Sequence, residues 1–198
     1  MSKCENHLSR TWFLNQGCKQ VPLEYTKNII RWAHPDGYFL NAQGKKIAHA
    51  YGPSQLRRKP NTKTGKRYPT DSHGKSCHSL MALAFYGERP IYTDKNGKEY
   101  VGIVHHLIPD PLDYRPANLL CWLTRAEHTE ADRRQGALKE VVPDGNLRLF
   151  TYERLRELQD PQTMTREAFE QELAILSRMD YHRVDPLAFA AEEPHKYC

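Results

Sequence analysis

The chain has 198 residues, of which 39% are hydrophobic, 10% aromatic and 27% charged, and its mean hydropathy is −0.78. Its 29 Lys and Arg outweigh 24 Asp and Glu, for a formal net charge of +5. No run approaches the roughly 18 apolar residues of a membrane span, the N-terminal residues lack the apolar segment of a secretory signal, and the aromatic content excludes disorder throughout. Five widely spaced cysteines, Cys4, Cys18, Cys77, Cys121 and Cys198, form no Cys-x-x-Cys pair, so free thiols in a reducing cytoplasm are expected rather than a disulfide framework. Cys4 and His7 have the spacing of zinc ligands, but no second pair completes the set.

In chain order, residues 28–33 predict a short helix or strand, and residues 34–37, His-Pro-Asp-Gly, a turn. Residues 38–40 and 45–47 alternate about Asn41 and Gly44, the pattern of a hairpin. Ser79 as N-cap, a run of helix formers and Gly87 predict a two-turn helix over 80–86. His78, just before it, is read as packing the helix start rather than as a phosphate or site-edge contact. A turn at 94–97 leads into a strand over 99–104 that closes on His105 and His106. Pro109, Pro111 and Pro116 make residues 107–117 a loop. Residues 118–123 predict a second strand, and Thr124 with Glu127 a capping box opening a helix that Gly136 ends. Near the C-terminus Thr165 is a helix N-cap, Met164 and Phe169 a hydrophobic staple, and Phe169, Leu173 and Leu176 an apolar stripe. A frayed tail is expected over 190–198.

Charge is distributed unevenly. Residues 1–100 hold 17 basic against 7 acidic side chains, a net of +10, whereas residues 139–198 hold 8 against 12, a net of −4. Arg57, Arg58, Lys59, Lys63, Lys66 and Arg67 cluster without an acid among them. A loop so composed suits phosphates, with affinity that falls as salt rises. The expected division is a basic, hairpin-rich region over 1–100 that binds nucleic acid, a module over 101–138, and an acidic helical appendage over 139–198.

The module carries the chemistry. Phosphodiester hydrolysis needs a base to activate water and a divalent ion to stabilise charge at the phosphate, and imidazole serves as base or as ligand. Neighbours on a strand face opposite ways, so His105 and His106 can divide these roles, one toward a metal and one toward substrate. His128, in the first turn of the helix, is placed as a second ligand. Asn118 can bond backbone across the loop and fix the base. Asp110 and Asp113 are read as turn residues.

Residues 105–128, spelled His-His, Asn118 and His128, resemble the HNH endonuclease motif, a ββα-metal (His-Me finger) module. Residues 77–85, CHSLMALAF, are similar to a short helix that precedes the motif in phage and homing-type HNH nucleases. The resemblance implies an α+β fold and a one-metal DNA endonuclease in a bacterial or phage-infected cell. It further implies His106 as general base, His105 and His128 as metal ligands, and Asn118 as the residue that orients loop and base. The implied cofactor is Mg²⁺ or Mn²⁺. Because two imidazoles without a carboxylate make a softer site, Zn²⁺ and Ni²⁺ are also compatible. The implied partner is double-stranded DNA, gripped by the cluster at 57–67, with no membrane role and the oligomeric state open, a dimer included. The alternative is a nucleic-acid-binding protein that keeps the ββα shape and a structural metal but does not cleave.

Overall fold

A computed structural model describes residues 7–47, 68–71, 74–142 and 145–179. Over these the chain is mixed α and β, made of short helices and small antiparallel sheets. It divides into two compact units, residues 1–123 and 124–198.

The first unit begins with α1 (Arg10–Asn15), where the Ser9 hydroxyl caps the helix by accepting from the Trp12 amide. An antiparallel sheet follows in the order β1 (Lys19–Gln20), β2 (Trp32–His34), β3 (Tyr38–Leu40), β4 (Lys46–Ile47). Both predicted turns are present. Gly37 joins β2 to β3 at φ +81°, and the Asn41 Oδ1 accepts from the amides of Gln43 and Lys45 between β3 and β4. Side chains alternate across the sheet. Trp32 and Leu40, paired across β2 and β3, pack with Phe13 and Cys18, the Phe13 and Trp32 rings stacking at 4.6 Å. Ala33 and Phe39, the next pair along, pack on the other side with Val21, Leu80, Met81 and Leu83.

Those last three belong to α2 (Cys77–Tyr86). Its N-cap is Ser76, three residues earlier than the predicted Ser79, and His78 therefore lies inside the helix. The early start is held by the Cys77 amide, which donates to the Pro69 carbonyl, and by a bridge between Thr70 and Ser76. Gly87 ends α2 at φ +84°, as the sequence predicts.

A hairpin of β5 (Ile91–Thr93) and β6 (Glu99–Val101) turns on Asp94, whose Oδ1 accepts from the amides of Asn96 and Lys98. The single strand predicted over 99–104 is in fact two. Gly102 separates β6 from β7 (Ile103–His106), which pairs instead with β8 (Leu119–Leu123). The backbones are close at this point: a Cβ at Gly102 would lie 3.1 Å from the Trp122 Cα and 3.2 Å from the Pro90 ring, tighter than ordinary van der Waals contact.

The β7–β8 pair carries a bulge. Ile103 faces Leu123 and His105 faces Leu120, so β8 spends one residue more than β7 over that span. Trp122 absorbs the excess at φ +64°, a conformation costly for a bulky side chain. It is held by the Tyr92 hydroxyl, which donates to the Trp122 carbonyl at 2.6 Å, and by its own indole, which donates to the Tyr86 carbonyl.

The second unit is helical over its described residues. Its first helix, α3 (Arg125–Val141), opens with the predicted capping box: the Thr124 hydroxyl accepts from the Glu127 amide while the Glu127 carboxylate accepts from the Thr124 amide. Gly136 does not end it. The helix continues five residues further because Leu138 and Val142 are buried, and their burial outweighs the roughly 1 kcal/mol that glycine costs in a helix. Thr151 and Thr165 cap α4 (Tyr152–Gln159) and α5 (Arg166–Leu176). On α5 Phe169 and Leu176 of the predicted stripe are buried and Leu173 is half-buried.

Arg134, 1% exposed, ties these helices together. Its guanidinium donates to the Glu130 carboxylate and to the carbonyls of Leu158, Asp160 and Met164, and lies 5.2 Å from the Phe169 ring. No helix among the described residues is long and apolar enough to cross a membrane. The predicted tail at 190–198 and the basic cluster Arg57, Arg58, Lys59, Lys63, Lys66 and Arg67 lie outside the described residues.

Candidate metal centre

The loop between β7 and β8 contains no regular strand or α-helix, and its prolines forbid one, so side chains must satisfy its backbone. Asn118 does most of this. Fully buried, it accepts from the Ile108 amide at 2.7 Å through Oδ1 and donates through Nδ2 to the carbonyls of Asp113 at 2.8 Å and Ile108 at 3.2 Å. Its own carbonyl accepts from the Leu107 amide. Four bonds from one residue thus tie the start of the loop to its end, directly after His106. Asp110 and Asp113 act as turn residues: the Asp110 carboxylate accepts from the Leu112 amide, and that of Asp113 is engaged by the Arg115 guanidinium.

His105 and His106 are both buried, at 3% and 8% exposure. They keep different company. The His106 ring meets His78 edge-on, with centroids 5.2 Å apart and planes at 84°, and lies 5.7 Å from the Tyr68 ring. His105 instead contributes to a separate group of ligand-type atoms. One such atom from each of His105, His128 and Asp132 lies within 4.8 Å of the other two. Within α3, His128 and Asp132 stand one turn apart, with Nδ1 3.2 Å from the carboxylate. The group could hold a metal ion.

His105, His128 and Asp132 are thus the grouped donors, and His106 and Asn118 follow His105 along β7 and its loop. Asp132 is the residue sequence reading missed. The expected ligand set of two imidazoles did not include it, although an acid four residues after His128 shares its helix face. Tyr68 was missed as a neighbour of His106, and His78, read as helix packing rather than a site-edge contact, does meet the His106 ring; nothing in the local pattern pairs residues so distant in sequence. No disulfide joins the described cysteines Cys18, Cys77 and Cys121, and burial pushes Cys18 up to about 11 and Cys77 to about 12, so both stay protonated at neutral pH.

Comparisons with protein-family models, curated proteins and solved structures find no match to this chain.

Proposed function

We propose that the chain is a divalent-metal-dependent DNA endonuclease of the HNH type, in which β7, β8 and α3 form a ββα-metal module. The observation that carries this reading is the donor group of His105, His128 and Asp132, with His106 next in the strand and turned to other neighbours. In this reading those three residues hold the cation. Two imidazoles and one carboxylate suit Mn²⁺ and admit Mg²⁺, Zn²⁺ or Ni²⁺; Asp132 moves the donor set toward the harder ions. When bound, the cation would supply positive charge against the scissile phosphate and the leaving oxygen.

His106 takes the proton of the attacking water on an imidazole nitrogen. The water oxygen bonds to phosphorus, the ester oxygen leaves, and that oxygen is protonated from solvent. Asn118 fixes the backbone that follows His106 and so sets where the base stands. The basic cluster at 57–67 grips the phosphate backbone, which positions the duplex without reading its sequence.

The test is a supercoiled-plasmid assay with Mg²⁺, Mn²⁺ and EDTA. The parent should nick or linearise the plasmid with metal and not with EDTA, and His106→Ala should lose at least about 100-fold in rate while still binding DNA. Binding without cleavage in every metal, with His106→Ala indistinguishable from the parent, would favour a non-catalytic DNA-binding protein.

A further inference from the structure

We infer that His78 is a positioning residue for His106, locking the ring of the base through an edge-to-face contact. The inference rests on the nuclease reading above and adds a residue to its site. It starts from a mismatch between residue type and place. A side chain in the first turn of a core helix packs most cheaply when apolar, and α2 buries Cys77, Leu80, Met81, Ala82 and Leu83 around this position. His78 is a polar ring instead, and it meets two more: Tyr68 at 5.2 Å and 78°, and His106 at 5.2 Å and 84°.

Both contacts are edge-to-face, the arrangement in which the positive rim of one ring meets the negative face of another. Such a contact fixes orientation as well as distance. The Ser76 hydroxyl oxygen lies 3.0 Å from Nδ1 and 3.1 Å from Nε2 of the His78 ring, within reach of a hydrogen bond to one of them. Ser76 in turn is held by its bridge to Thr70, and α2 by the core. The chain of support therefore runs from the core through α2 and Ser76 to His78 and then to His106. Asn118 holds the backbone next to the base from the loop side, and His78 holds its ring.

Burial, followed by the nearby His106 and Arg89, pushes His78 down to about 3. It stays neutral at every pH at which the base works, and so does not compete with His106 for the proton.

The test uses the full chain with Mn²⁺ and plasmid DNA, comparing the parent with His78→Ala and His78→Phe. Rates are taken per folded molecule, with the folded fraction read by circular dichroism and Mn²⁺ affinity by calorimetry. A displaced base loses rate rather than binding, so His78→Ala should lower kcat about 10- to 100-fold with KM and Mn²⁺ affinity unchanged. His78→Phe keeps a ring edge without the nitrogens and should recover most of the rate. A role in packing alone would reduce the folded fraction and leave kcat where it was, which would overturn the inference. So would His78→Phe as slow as His78→Ala. A parent that cleaves nothing in any metal sinks the nuclease reading and this inference with it, and the parent alone reveals that before any variant is compared.

Discussion

Replacing Asn118 with Ala removes three side-chain hydrogen bonds from a residue with no exposed surface. Each is worth a net 0.5–1.5 kcal/mol, so the expected loss is about 3 kcal/mol. That is a large share of the 5–15 kcal/mol typical of a domain. Trp12, Trp32 and Trp122 all lie in the unit spanning 1–123, so tryptophan fluorescence during urea titration reports on that unit. The midpoint should fall by the equivalent of about 3 kcal/mol at constant slope. Asn118→Asp sharpens the test. It keeps an acceptor for the Ile108 amide but sets an anionic oxygen against the carbonyls of Ile108 and Asp113. It should be worse than Ala at neutral pH and recover as acid protonates the new carboxyl. A loss below about 0.5 kcal/mol for Asn118→Ala would refute the assignment of the loop's stability to this residue.

Other consequences can be checked in the same way. Gly102→Ala sets a methyl 3.1 Å from the Trp122 Cα and 3.2 Å from the Pro90 ring and should cost about 1–3 kcal/mol by the same urea titration. The Glu130 carboxylate is held well below the usual range, first by Arg133 and then by Arg166 and Arg134. A depressed carboxyl stabilises the fold above its unfolded value near 4.3 and loses that contribution as pH falls below it. Glu130→Gln should therefore flatten the fall in melting temperature below about pH 4.3; an unchanged acid limb would count against the network. Replacing Arg57, Arg58 and Lys59 together with Ala should reduce the salt slope of DNA binding by about 2 to 3, and an unaltered slope would remove the cluster from the phosphate grip.

Local chemistry was legible in the sequence where a residue acts on its own backbone. The Asn41 and Asp94 turns, the Thr124–Glu127 box, the Thr165 cap and the glycine after α2 all follow from side chains bonding within four residues of themselves or from a positive φ. Features set by distant neighbours were not legible. Phe13 of the short α1 packs on Trp32, nineteen positions away. Gly102 looks like part of one alternating strand until Trp122 and Pro90 are brought against it. Gly136 reads as a stop, and the burial of Leu138 beyond it overrides that signal. The same division runs through the candidate site. The bonding capacity of Asn118 and the alternation of His105 and His106 are properties of sequence, whereas the company of His106 with Tyr68 and His78 depends on where α2 packs.

We propose that His105, His128 and Asp132 hold one divalent cation. Crystals soaked in Mn²⁺ and measured near the manganese absorption edge test it most directly. One strong anomalous peak is expected about 2.0–2.2 Å from a donor atom of each of the three residues, lost in His128→Ala. A peak held by other side chains, or none at a concentration that supports plasmid cleavage, would contradict it.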